Sequence, residues 1–328
     1  MKPAVIVAGL AGLLGAAWLI FHLGVASVWD AAISVGWGGM ALLCVYGLAN
    51  FCLLGAAWLV LDPPYAWRKI ATYIWGRAAR DSAGEILPIS QLGGLVVGAR
   101  AVMLRGIGQA VAFASTIVDM TLEMSAQVVF ICAGLAILAI GLPGAALQTP
   151  LVKTTLIGIC IAIPLAGGFL LLQRRFFALI ERAVSRTMPA WAAGAGAVSI
   201  ALAKIHDARG RMVAGFGIHI VGWLTGAFGT WLALFLLGAR ISFANAVAIE
   251  AVLAAIRSAA IFVPGAIGVQ EAGYALLMPL FGLPPQLGVA ISLLKRAREI
   301  ALGVPVLLLW QIAEGRGALS AARAPRSG

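Results

Sequence analysis

Charge is scarce in this 328-residue chain: Asp, Glu, Lys and Arg make up 11% of it, against 62% hydrophobic residues. A soluble domain is roughly a quarter charged, so a water-soluble globular enzyme is excluded. No polar stretch is long enough to build a domain outside a bilayer. Acids number 12, too sparse for a two-metal site, and no DxxD pair for diphosphate substrates occurs. The histidines, His22, His206 and His219, stand singly, and no HExxH, CxxC, phosphate loop or serine elbow is present. No catalytic residue, metal or cofactor is therefore expected. The four cysteines, Cys44, Cys52, Cys132 and Cys160, fall inside apolar runs and read as small core side chains.

What the chain has instead is apolar length. Mean hydropathy is +1.03. The net charge of +11 is spread between apolar runs as in cytoplasmic loops, not gathered into a nucleic-acid patch. A bilayer core of about 30 Å takes about 20 helical residues. Six runs meet that length: 4–26, 36–61, 110–140, 153–173, 213–237 and 286–312. The first follows Lys2 and is longer than a signal-peptide core, so it reads as a retained span. Residues 174–212 carry Arg174, Arg175, Arg182, Arg186, Lys204, Arg209 and Arg211 against Glu181 and Asp207, which makes this loop cytoplasmic. Phe176, Phe177, Ile180 and Val184 share a helical face there, the pattern of an amphipathic helix on an anionic leaflet. The run 190–203 is too short to cross. The tail 313–328, with Arg316, Arg323 and Arg326, is cytoplasmic too. Both termini then face the cytoplasm.

Residues 69–107 and 243–284 are apolar but interrupted, by Pro88 with Gly93-Gly94 and by Pro264-Gly265 with Gly268. Each is expected to be two half-helices that enter and leave on one side, with these prolines and glycines forming the turns. The fold expected is an all-α polytopic membrane protein, one integral domain of six spans and two re-entrant pairs. Its halves, 1–152 and 153–328, would be an inverted repeat. The spacing of Ser82-Ala83 before Pro88 matches that of Ser258-Ala259 before Pro264. Such repeats bind substrate where the broken helices meet.

Ionisable groups inside a membrane are costly and are site candidates by default. The densest are Lys295, Arg296, Arg298 and Glu299 in the middle of the last span, an excess of positive charge suited to a bound anion such as a lipid phosphate. Arg257, Glu271, Glu85 and Arg100 join them as candidates for substrate binding. The alternative is a salt-bridge network with Glu271, Glu250 and Glu85 that only holds helices together. Glu271 at a helix start can also act as a cap. Asp119 and Glu123 share one face of the third long span.

Val263-Pro264-Gly265-Ala266-Ile267-Gly268-Val269-Gln270-Glu271 resembles the proline-glycine-x-glycine-glutamate signature of the lysylphosphatidylglycerol synthase transmembrane-region family, with Ala266 where a second glycine is common. Glu85-Ile86-Leu87-Pro88 with Gly93-Gly94 and Arg100 resembles its N-terminal signature. Within the family the chain is most similar to the hopanoid-biosynthesis-associated HpnL branch. The resemblance implies a bacterial inner-membrane lipid translocase, flippase-like and without synthase activity, whose partners are phospholipids or hopanoid-type lipids. An accessory subunit of hopanoid or glycolipid biosynthesis, associated with that pathway's enzymes, is the competing expectation.

Overall fold

A computed structural model describes residues 30, 33–62, 67–87, 90–141, 189–260, 263 and 266–323. These form nine α-helices and no strand: α1 (Gly36–Val60), α2 (Ile70–Ile86), α3 (Ser90–Met103), α4 (Gln109–Gly141), α5 (Pro189–Asp207), α6 (Arg209–Leu236), α7 (Phe243–Ala259), α8 (Val269–Leu277) and α9 (Pro285–Arg323). The runs expected at 4–26 and 153–173, the amphipathic segment 176–184 and Cys160 lie outside the described residues.

Helices α1, α4 and α6 are long and apolar enough to cross a membrane. Their outward faces carry exposed Val45, Leu48, Val129, Val221 and Phe228, which a lipid-facing surface accommodates and a water-facing one would not. Cys52 is also exposed, so it is not the core side chain expected of it. Helix α9 is longer than any of these, but Lys295, Arg296, Arg298 and Glu299 interrupt its apolar character.

Both interrupted stretches are helix pairs. Helix α2 ends at Leu87, whose φ of −84° and ψ of 143° are extended, as the residue before a proline is pushed to be. Gly93 and Gly94, expected in the turn, instead lie within α3. A Cβ on Gly94 would sit 2.6 Å from the Arg80 carbonyl, so this glycine allows α3 to return along α2 at backbone contact. In the second pair, α7 is capped by Ser242 Oγ, which accepts the Asn245 N–H at 3.1 Å. Gly268, with φ of +81°, opens α8, and its N–H donates to Glu271 Oε2 at 2.7 Å. Pro88, Pro264 and Gly265 lie outside the described residues.

Side-chain register sets the helix directions. Helices α1 and α6 are antiparallel: Leu61 lies by Gly215, Leu54 by Gly222 and Tyr46 by Gly229. Helix α7 runs antiparallel to α4, with Gln127 bonded to Ser258 and Gly134 against Ala251. Ile86, at the end of α2, meets Gly303 of α9, and the adjacent Leu302 meets Gly47 halfway along α1. The tip of α2 thus stands near mid-height of the bundle. There Glu85 binds Arg257, near the end of α7, which approaches from the opposite direction.

Residues 189–207 change the reading of 174–212 as loop. They form α5, whose Ala201, Leu202 and Ile205 are buried with Ala114, Val118 and Leu122 of α4 and Leu61. Counting apolar residues alone stopped the run at 203. Lys204 and His206 extend the helix, being basic residues in its last turn, where the helix dipole favours them.

Candidate functional site

Between α1, α2, α4, α6, α7 and α9 lies a cavity of about 460 Å³ at the height where α2 and α7 end. Its wall combines apolar Phe51, Leu54, Met120, Met124 and Trp223 with an unusual density of charge. Arg77, Arg80, Arg257, Lys295 and Arg298 supply five cations, and Asp81, Glu85, Glu123, Glu250 and Glu299 five carboxylates.

One group of these charges joins α2 to α4. Arg80 donates to Asp119 and Glu123, each at 2.6 Å. Arg77 reaches the same two carboxylates and also Asp81, four residues on in its own helix, at 2.8 Å. His219 Nε2 of α6 lies 2.9 Å from Asp119 Oδ1. Asp119 is fully buried and so meets three side chains, from the two helices α2 and α6, without touching solvent. The second group joins α7, α8 and α9. Lys295 donates to Glu250 at 2.9 Å, and Tyr274 Oη and Thr230 Oγ1 donate to the same carboxylate at 2.8 and 2.6 Å. Arg296 donates to Glu271 at 2.6 Å, and Ser292 Oγ donates to Glu271 at 3.0 Å. Between the groups, Arg257 binds both oxygens of Glu85 at 2.8 and 3.0 Å.

The candidates from sequence divide accordingly. Glu85, Arg257, Lys295, Arg298 and Glu299 converge on the cavity. Glu271 and Arg296 pair behind the wall. Arg100 does not belong to this group: it points outward from the last turn of α3 and binds Glu314 of α9 at 2.8 Å, with 44% of its side chain exposed. The expected surplus of positive charge is also absent, because Glu250, Glu271 and Glu85 reach the cations from other helices. Only Arg298 is loosely held. Its carboxylate contact is 3.3 Å, to the adjacent Glu299, and its guanidinium lies 5.4 Å from the centre of the Tyr46 ring.

Arg77 was missed, and His219, which stands alone in the sequence, is a polar partner of Asp119. The signal for the network was the spacing of Arg77, Arg80 and Asp81 on one helix and of Asp119 and Glu123, four apart, on another. Ser82, also on the cavity wall, is buried, and its hydroxyl has no hydrogen-bond partner among the described residues.

Neither the curated proteins nor the solved structures contain a match to this chain. The family model for the lysylphosphatidylglycerol synthase TM region matches residues 5–306, which include every residue of the cavity. A membrane bundle with a charged interior, matched over nearly its whole length, makes the chain a member of the lysylphosphatidylglycerol synthase transmembrane-region family.

Proposed function

We propose that this protein is a lipid translocase of the bacterial inner membrane, non-enzymatic, moving a phospholipid or hopanoid-type lipid whose phosphate or other anionic group engages the cavity cations. The observation that carries the reading is a charged cavity at mid-height of a membrane bundle, between two helix tips held together by Glu85 and Arg257. A headgroup would occupy the cavity while its acyl or hopanoid body stays in lipid. In the topology proposed, α2–α3 and α7–α8 are re-entrant pairs entering from opposite leaflets, within six spans and two inverted halves (1–152 and 153–328). One end of the bundle gathers Arg68, Lys69, Arg105, Arg209, Arg211 and Arg316. The positive-inside rule supports placing that end, both termini and the basic tail in the cytoplasm. We further assign the chain to the HpnL-like branch.

The closed pairing of Lys295 and Arg296 favours a second reading, an accessory subunit of hopanoid or glycolipid synthesis whose charges only fasten helices. Reconstituted vesicles decide between them. Arg298→Gln should leave a folded protein with fluorescent-lipid translocation abolished, while Arg100→Gln, outside the cavity, should translocate as wild type. Wild-type protein that moves no phospholipid or hopanoid, or Arg298→Gln that moves it normally, leaves the accessory reading standing.

A further inference from the structure

We propose that the cavity takes a zwitterionic phospholipid headgroup, one phosphate and one ammonium, with Arg298 receiving the phosphate and Glu299 the ammonium. This rests on the translocase reading. The first support is the balance of fixed charge. The wall holds as many carboxylates as cations, and behind it Asp119 and the Arg296–Glu271 pair make the interior no more positive. An anionic headgroup would therefore bring an uncompensated charge to mid-membrane, where it is expensive. A zwitterion adds no net charge.

The second support is how α9 presents its two loosest charges. Successive helical residues point about 100° apart. The Arg298 stem lies beside Gly47, so this cation faces α1. Glu299 is one turn before Gly303, which packs against Ser82, so the carboxylate faces α2. Their mutual contact, 3.3 Å, is longer than the Lys295–Glu250 bond at 2.9 Å or the Arg257–Glu85 bond at 2.8 Å. It is the pair most easily parted by a ligand carrying both signs.

A third observation is independent of charge. Ser82 is a residue of the cavity wall, and its buried hydroxyl, which packs toward Gly303 one turn beyond Glu299, has no partner among the described residues. Buried polar groups rarely stay unpaired. An ammonium held between Glu299 and Ser82 would satisfy it.

The test is translocation in proteoliposomes of phosphatidylethanolamine and phosphatidylglycerol, each labelled on an acyl chain so that the headgroup is intact. Wild type should move the zwitterion about tenfold faster, the ratio that a modest difference in binding free energy produces. Glu299→Gln and Ser82→Ala should each lower that ratio. Because the ratio is taken within one preparation, partial misfolding of a variant cancels. Phosphatidylglycerol moving as fast or faster overturns this proposal and leaves the translocase reading intact. A ratio unchanged in both variants overturns the assignment to Glu299 and Ser82. If neither lipid moves in wild type, the translocase reading falls and this one with it.

Discussion

The two broken helix pairs, each with the long helix that follows it, use opposite charge patterns for the same task. In the first, the cations Arg77 and Arg80 sit on α2, and α4 supplies Asp119 and Glu123. In the second, the carboxylates Glu250 and Glu271 sit on α7 and α8, and α9 supplies Lys295 and Arg296. Local neutrality at depth, and not a particular sign on a particular helix, is what the bundle demands. The groups also differ in form. The first is a mesh, in which each arginine reaches both acids. The second consists of separate couples, each acid with one cation plus hydroxyl donors.

That difference can be broken by substitution. A couple has no spare cation. Lys295→Met leaves Glu250 buried with only Tyr274 and Thr230 as donors, and the loss should be about 3–5 kcal/mol. Thermal unfolding of the detergent-purified protein measures it, and a loss near zero would mean that the two hydroxyls suffice.

The mesh should tolerate one loss better. In Arg77→Met, Arg80 still binds Asp119 and Glu123, so the expected cost is about 1–3 kcal/mol. Removing both arginines should cost more than the sum of the single losses, by roughly 0.5–3 kcal/mol, the coupling usual for residues sharing partners. The same unfolding measurement on the four members of this cycle checks it. Additive losses would show that the two arginines act separately and that the mesh is only a drawing of nearby atoms.

How far the sequence discloses this arrangement depends on the range of the interactions. Helices α1, α4 and α6 are legible because length and hydropathy are local properties. The break after α2 is legible for the same reason: a proline constrains the residue before it, and Leu87 is extended. Pairing is not local. Arg77 and Glu123 are 46 positions apart, and Glu85 and Arg257 are 172 apart. Their meeting depends on how helices pack, so the sequence offered Glu85, Glu250 and Glu271 as salt-bridge partners only as the alternative to an anion site at 295–298, and did not say which acid meets which cation. Arg100 misled for a related reason. Its sequence neighbours are apolar, yet it lies in the last turn of α3, where the side chain emerges to meet Glu314. Residues 189–207 were underestimated because hydropathy ends at a basic residue, whereas a helix need not.

The turns of the two pairs offer a finer contrast. The first is made by an extended residue before a proline, a conformation open to any side chain. The second passes through the left-handed region, where Ala266 has φ of +48° and Gly268 has φ of +81°. For a residue with a Cβ, that region costs roughly 1–2 kcal/mol. Ala266→Gly removes the clash but frees the unfolded chain, which costs roughly 0.5–1 kcal/mol. The two terms partly cancel, and the balance favours glycine by about 0–1.5 kcal/mol. The unfolding midpoint should therefore hold or rise slightly. Ala266 is buried and lines the cavity, so its methyl also has neighbours to lose. A clear fall in midpoint would mean that those contacts outweigh the strain, and that the second turn is held by side-chain packing in a way the first turn's extended residue does not need.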